Sequence, residues 1–262
     1  MLSIVNYKFT TVEPLGEGGF GFVEKIELVK NYKEGEQPKQ YARKVLAPKN
    51  DLKMFKERFK REVVSQNKCK HKYVVDIYLA DLDCDSPYFI MELADCDLAD
   101  LIKANELSEQ DKLDVMIMTC KGLQHIHKKG YLHRDIKPFN ILKFSHDKYI
   151  QLNGEVTPDV FYKISDFGLI RKTDPDPASE VLTSFGTILG TTRYCAPELM
   201  YSGIYTHQTD IFALGRVFEE LNVQDERLQK IIAKCTDLQA RTRYTNIEHV
   251  LEDITNVVEA VE

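Results

Sequence analysis

The sequence holds no tryptophan, no excess of positive charge and no apolar run long enough to cross a bilayer. Each absence removes a class of protein. A membrane-spanning helix needs about 20 predominantly apolar residues, and no stretch approaches that, so no membrane span is expected. The opening MLSIVNYKFT does not read as a secretory leader, and a cytoplasmic location is the expectation. With 35 basic and 41 acidic residues the net charge is −6. Nucleic-acid binding usually shows a basic excess or stripe, so no such partner is expected, although a tally leaves room for a local patch. Cysteine is sparse: Cys69, Cys84, Cys96, Cys120, Cys195 and Cys235 form no CxxC pair. That spacing suggests neither zinc ligands nor a disulfide framework, and reduced thiols are expected. There is no internal repeat and no low-complexity tract.

What is present is an ordinary globular composition, 43% hydrophobic and 29% charged over 262 residues. That is enough chain for one large domain or two lobes. Residues 9–30 alternate around a glycine cluster and predict two strands joined by a glycine loop. A polar turn (30–40) leads to a strand over 41–47. Leu52, Phe55, Phe59 and Val63 recur near helical spacing and predict a helix over 51–68. Strands are expected at 73–81 and 88–93. The period then changes, with helices over 97–105 and 108–129, the second opening on Ser108 and Asp111 as a capping box. Strand-like ILKF and YKIS flank a polar stretch near 145–160. A long loop (174–198) precedes helices near 209–222, 225–236 and 245–260. Strands first and helices later make an α+β arrangement.

Several groups of residues suggest phosphate chemistry. Gly16, Gly18 and Gly21 lie in Gly16-Glu17-Gly18-Gly19-Phe20-Gly21-Phe22-Val23, a G-x-G-x-x-G-x-V. Glycines let a backbone approach phosphate oxygens and donate N–H groups to them. A plain glycine-rich hairpin turn has the same composition. A dinucleotide-binding reading needs a helix straight after the glycines, and FVEKIELV reads as a strand. Lys44 lies in YARKVL, where an amphipathic strand would ordinarily carry it as a solvated charge. Glu62 falls nine residues before His71 on the predicted helix. It could be one more exposed glutamate there. Then comes His133-Arg134-Asp135-Ile136-Lys137-Pro138-Phe139-Asn140, followed by Asp166-Phe167-Gly168 and Ala196-Pro197-Glu198.

Any one of these segments occurs by chance; the set, in this order and spacing, resembles the eukaryotic-type protein kinase superfamily and its serine/threonine members. The resemblance runs from about residue 9 to residue 255. It implies a bilobal fold, with a small β-rich N-lobe (1–93) and a helical C-lobe (94–262) hinged near Leu93–Asp95. It implies transfer of the γ-phosphate of ATP to protein hydroxyls with Mg²⁺, or Mn²⁺, as the metal. Phosphoryl transfer needs alignment and charge neutralisation more than covalent help. In that reading Lys44, paired with Glu62, holds the α/β-phosphates. Asp135 accepts or orients the acceptor's proton, and Lys137, the mark of serine/threonine kinases, lies against the transferred phosphate. Asn140 and Asp166 are hard oxygen ligands for the metal. Adenine is expected among Leu15, Val23, Ala42, Leu98 and Leu142, aliphatics that otherwise read as core. Glu92 and Ala94 offer it backbone groups, Met91 limits the back pocket, and Asp97 meets the ribose. Asp210 braces the catalytic loop through backbone amides, and Arg243 pairs with Glu198.

The pattern departs in places. Gln66 stands where most kinases place an apolar residue against the aspartate-phenylalanine-glycine phenylalanine, here Phe167. Little chain separates Phe212 from Arg227, so the usual substrate-docking helix after the buried central helix is expected to be missing. Phe212 stands where a tryptophan is common, and the stretch Lys143–Val160 is long. Arg134, with Arg171 as a second cation, suggests switching by a phosphate in the 166–198 loop. Thr183, Ser184 and Thr187 are the candidate acceptors. Ser179, Thr191 and Thr192 are further hydroxyls there, and Thr191 is expected to hydrogen-bond Asp135 and Lys137. Two other readings compete. A catalytically silent kinase-like module would have lost Lys44, Asp135 or Asp166. A small-molecule phosphotransferase generally lacks the Ala-Pro-Glu segment and the Lys137 pattern.

Overall fold

A computed structural model of the chain describes residues 8–18, 21–29, 38–47, 52–146, 159–173 and 192–260. The chain divides into two compact units. The first comprises Met1–Asn67 and Asp76–Ala94, the second Lys68–Val75 and Asp95–Glu262.

The first unit is a five-stranded antiparallel sheet and one helix. Strands β1 (Lys8–Gly18), β2 (Gly21–Val29) and β3 (Gln40–Leu46) precede helix α1 (Leu52–Lys68), and β4 (Ile77–Asp81) and β5 (Tyr88–Met91) follow it. Their order in the sheet is β1-β2-β3-β5-β4. Phe55, Phe59 and Val63 of α1 pack with Leu46, Phe89, Ile77, Leu82 and Met91. The apolar stripe on α1 therefore closes one face of the sheet, as its spacing dictates. Glu62 lies seven positions after Phe55, so it shares that stripe and is carried inward with it. Gln66, four positions further, is also buried, at 2% exposure, and α1 runs through it without a break.

The second unit is helical around α3. Its elements are β6 (Cys96–Asp97), α2 (Leu98–Ala104), α3 (Glu109–Lys128), β7 (Tyr131–Leu132), β8 (Ile141–His146), β9 (Asp159–Ile164), β10 (Arg171–Lys172), α4 (Leu199–Ser202), α5 (His207–Glu220), α6 (Glu226–Cys235) and α7 (Ile247–Glu259). The expected capping box opens α3. The Asp111 N–H donates to Ser108 Oγ at 3.1 Å, and the Ser108 N–H donates to Asp111 Oδ2 at 3.0 Å. Val115, Met116, Leu123 and Ile126 of α3 are buried with Ile211, Phe218, Ile232, Val250 and Ile254 from α5, α6 and α7. Gly122 is required there by contact, because a Cβ would come within 2.6 Å of the Tyr73 carbonyl oxygen.

Three findings refine the sequence expectations. The strand expected at 73–81 begins only at Ile77; Val74 instead forms an isolated parallel bridge to Ile164. The reason lies in the backbone bonds, since Val75 N–H donates to Ile164 O and Ile164 N–H to Tyr73 O, each at 3.0 Å. Residues 73–75 are thus spent on the second unit. Next, α6 starts at Glu226, six positions after α5 ends at Glu220, so no docking helix intervenes. Leu221 and Val223 of that short link are buried, and Asp225 caps α6. Finally, Phe212 is a buried packing residue. It packs with Ala196 and Leu199, and Cys195 is a partly buried packing residue beside them. All six cysteines are free thiols. Among the described residues no helix is long and apolar enough to cross a membrane.

Candidate active site

In the first unit the sheet register lines up the phosphate candidates. Gly16 pairs with Val23, Val23 with Lys44, and Lys44 with Phe89, a row across four strands. Paired residues share a face, so this row is one strip of surface. Lys44 Nζ donates to Glu62 Oε1 at 2.6 Å and lies 5.9 Å from the centre of the Phe89 ring. Glu62 is 4% exposed, so the ammonium is anchored by a carboxylate that barely meets solvent. Glu62 is therefore no surface glutamate. Gly16 and Gly18 are glycines for no internal reason. Nothing lies within 4 Å of a Cβ added at Gly16, and only the Gly21 carbonyl at 3.9 Å meets one at Gly18. Gly21 differs, since a Cβ there would collide with the Val45 carbonyl. Ala42 is buried, Val23 half-buried, and Leu15 is 47% exposed. Glu92 donates its N–H to Asp76 O at 3.1 Å, and Ala94 ends the unit.

In the second unit the catalytic-loop candidates meet. Lys137 Nζ donates to Asp135 Oδ2 at 2.8 Å. Asn140 Nδ2 donates to the same oxygen at 3.0 Å and to Asp135 O at 2.8 Å. With its amide nitrogen turned into Asp135, Asn140 presents Oδ1 as its remaining acceptor. The Ser165 N–H and hydroxyl both donate to Asn140 O, at 2.9 and 3.1 Å. Asn140 is thereby tied to the residue just before Asp166. Asp166 caps a short 3₁₀ turn by accepting the Gly168 N–H at 3.2 Å. The donors Asn140 and Asp166 suit a hard divalent cation such as Mg²⁺. Among the described residues no group of three or more His, Cys, Asp or Glu could hold a metal unaided. Leu142 pairs with Asp97 across β6 and β8, and Asp97 also caps α2 by accepting the Asp100 N–H at 2.9 Å. Burial raises the Asp97 carboxyl above its ordinary value. Leu98 is fully buried.

Asp210, in the first turn of α5, supports the loop. Its Oδ2 accepts the His133 N–H and its Oδ1 the Arg134 N–H, each at 2.8 Å. His127 Nε2 lies 2.9 Å from the same Oδ2. Burial raises this carboxyl, but the His127 hydrogen bond and charge outweigh it, and the net position is below the ordinary value. His127 had no signal in the sequence, because α3 and α5 meet only in the folded unit. His133 was legible as a motif member but not in its role. Its Nδ1 accepts the Asp135 N–H at 3.3 Å and its Nε2 faces Ser165 O at 3.0 Å. Burial holds this ring below its ordinary pKa, which matches a neutral imidazole donating from Nε2. It links the Asp135 loop to the Asp166 turn.

The backbone is strained where the chemistry is expected. Four described non-glycine residues have positive φ: Asn105, Arg134, Asp166 and Asn222. Asn105 caps α2, an ordinary use of asparagine, and Asn222 is likewise a residue type that tolerates this region. Arg134 (72°) is of no such type and costs about 1–3 kcal/mol, while Asp166 (59°) is an aspartate, which tolerates the region better. Arg134 lies over the Tyr205 ring at 3.8 Å, and burial lowers its pKa. Its Nε and Nη1 are buried without a hydrogen-bond partner among the described residues. The Arg243 guanidinium grips Glu198 with two bonds of 2.7 Å and lies 4.8 Å from the Phe212 ring centre. Thr183, Ser184, Thr187 and Thr191 lie outside the described residues.

The fold of each unit and the residues gathered in it are of the protein kinase type. The family described as "Protein kinase domain" matches residues 9–259, and the chain belongs to it. Similar proteins include the serine/threonine-protein kinase PknD of Protochlamydia amoebophila, 26% identical over 96% of this chain and 30% of the relative. The serine/threonine-protein kinase cds1 of Schizosaccharomyces pombe is 31% identical over 97% of this chain and 53% of the relative. The serine/threonine-protein kinase PrkC of Bacillus subtilis is 32% identical over 64% of this chain and 24% of the relative. The chain thus spans about a quarter to a half of the length of these relatives.

Proposed function

We propose that this chain is a serine/threonine protein kinase that moves the γ-phosphate of ATP, with Mg²⁺, to hydroxyls of protein substrates. The observation that carries the reading is the Asp135–Lys137–Asn140 cluster, in a loop braced by the Asp210 carboxylate, which accepts the His133 and Arg134 N–H groups. In this mechanism Asp135 orients the acceptor hydroxyl and takes up its proton's hydrogen bond. Lys137 balances the charge of Asp135 and of the phosphate in transit. Asn140 Oδ1 and the Asp166 carboxylate would hold the metal. The metal supplies charge neutralisation on the phosphates. Lys44, fixed by Glu62, holds the α/β-phosphates, and the unobstructed backbone at Gly16 and Gly18 is where the phosphates approach. Leu15, Val23, Ala42 and Leu142 take the adenine, Glu92 and Ala94 supply its backbone partners, and Asp97 the ribose contact.

Retention of Lys44, Asp135 and Asp166 favours this over a catalytically silent module. Ala196-Pro197-Glu198 with its Arg243 clasp favours it over a small-molecule phosphotransferase. Radiolabelled ATP with casein and with a basic protein tests the reading. Transfer to serine or threonine is expected, and Asp135→Asn should lose transfer while still binding ATP. An Asp135→Asn enzyme of undiminished activity would defeat the assignment.

Regulation by autophosphorylation at Thr183, Ser184 or Thr187 belongs to the same proposal. Its support is Arg134, whose two unpartnered buried nitrogens suit a phosphate. Mass spectrometry after incubation with Mg-ATP should find phosphate there. A fully active enzyme with an unmodified loop would rule it out.

A further inference from the structure

The proposed chemistry relies on Asp210 but gives no role to the ring stacked on its histidine partner. His207 is the first residue of α5, three positions before Asp210, so the two side chains leave the same side of the helix. The His207 ring lies nearly flat on the His127 ring, with centroids 4.3 Å apart and planes 19° apart. His127 Nε2 in turn lies 2.9 Å from Asp210 Oδ2. An ionised carboxylate can only accept, so Nε2 is the donor. His127 Nδ1 is buried with no hydrogen-bond partner among the described residues, and so is His207 Nε2. One hydrogen bond therefore aims the His127 ring at Asp210, and the face of His207 backs it.

The charged and titratable groups around this pair come from four elements. From α3 comes Lys128, beside His127, and from α7 Glu248, which Lys128 pairs with at 3.5 Å. From α5 comes Asp210, and from the catalytic loop His133 and Arg134, whose N–H groups the Asp210 carboxylate accepts. With three donors Asp210 is committed, so a charged His207 has water and Glu248 to turn to. Burial and the His127 charge hold His207 below its ordinary 6.5, while Asp210 and Glu248 pull the other way. The stacked arrangement thus refuses the proton, and an arrangement with His207 turned out to water accepts it. Falling pH favours the second. Release of His207 uncovers His127 and loosens its bond to Asp210. The two backbone bonds that fix the peptide units ahead of Asp135 slacken with it.

Resting on the kinase reading above, we infer that His207 is a positioning residue whose protonation slackens the catalytic loop and turns phosphoryl transfer down in mildly acidic conditions. It acts through His127 and Asp210, and so on kcat rather than on the binding of ATP.

The test compares pH profiles of the whole chain and of His207→Phe, which keeps a flat ring against His127 but takes no proton. Circular dichroism fixes the range in which both are folded. Between pH 8 and pH 5 kcat should fall about tenfold in the wild type, the scale that one histidine supplies, and about twofold or less in His207→Phe. KM for ATP should follow the same course in both proteins. In nuclear magnetic resonance spectra of the wild type the His133 and Arg134 amide signals should move with the same midpoint as the His207 ring. A ring that merely packs would shift neither the kcat profile nor those amides with a shared midpoint. The wild-type spectra need no variant and decide the coupling by themselves. Equal pH profiles in the two proteins overturn the inference and leave the kinase reading standing. So do His133 and Arg134 amides that stay in place while His207 titrates. No transfer by the wild type to any protein at any pH overturns both.

Discussion

The carboxylate of Asp210 accepts the backbone N–H of His133 across 77 positions of sequence, at 2.8 Å. With Arg134 taken by the other oxygen, one buried side chain fixes two consecutive peptide units just ahead of Asp135. It also explains how Arg134 is kept at a positive φ that it would not adopt alone.

Asp210→Ala is expected to strip partners from two N–H groups and from His127 at once. Each unsatisfied buried group costs about 1–3 kcal/mol, so a loss of at least about 3 kcal/mol is expected. For a chain of this size that lowers the melting temperature by roughly 10 °C. Differential scanning calorimetry measures it. A melting point within 2 °C of wild type, allowing for about 1 kcal/mol or less, would mean that the bonds at Asp210 are dispensable.

Lys44 and Glu62 should fail in the same way when either is changed. Lys44→Ala removes the ammonium, and Glu62→Gln removes the carboxylate that anchors it 2.6 Å away. Both should slow transfer by about 100-fold or more, with the effect in kcat larger than in ATP binding. The double variant should be little worse than either single one, because the two act as a unit. Additive losses in kcat/KM would show that they work separately.

The Glu198–Arg243 clasp is expected to be structural. The Arg243 side chain is fully buried while that of Glu198 keeps 26% exposure. Arg243→Ala or Glu198→Gln should therefore cost about 3–5 kcal/mol. Burial raises the Glu198 carboxyl, but the Arg243 bonds outweigh it and hold the net pKa below the ordinary 4.5. A depressed carboxyl contributes stability above its unfolded pKa and loses it as the pH falls through the folded value. Acid unfolding below about pH 4.5 should thus be shallower in Glu198→Gln than in wild type, measured by circular dichroism.

A second pH effect is expected nearer neutrality. His71, His125, His133 and His207 all sit below the ordinary 6.5, in each case because burial disfavours the charged ring. His207 is stacked on His127 at 4.3 Å, and that neighbour's charge lowers it further, while Asp210 and Glu248 pull the other way. A lowered histidine pKa means that the unfolded chain binds protons that the folded chain refuses. Stability from these rings is complete above 6.5 and declines as the pH falls below it. The melting temperature should drop from pH 7.5 to 5.5, and His207→Asn should drop less. Parallel curves for the two proteins would remove His207 from the account.

Much of this protein is legible in the order of its residues, because the physics there is local. The Ser108–Asp111 box starts α3 through bonds between positions three apart, and alternation and helical spacing set β2, β3 and α1. Lys44, Glu62, Asp135, Lys137, Asn140, Asp166, Glu198, Asp210 and Arg243 could be singled out because their chemistry depends on residue type and spacing. The short link from α5 to α6 could be counted directly. Other features were decided only by packing. Tyr73 and Val75 give their backbone bonds to Ile164 rather than to a neighbouring strand, a choice no local pattern encodes. His127 reaches Asp210 because α3 and α5 share a core. Phe139 faces water only because its two neighbours are drawn inward. Sequence supplies the groups and their local geometry; burial and long-range hydrogen bonds, which depend on residues far apart in the chain, determine which of those groups end up facing one another.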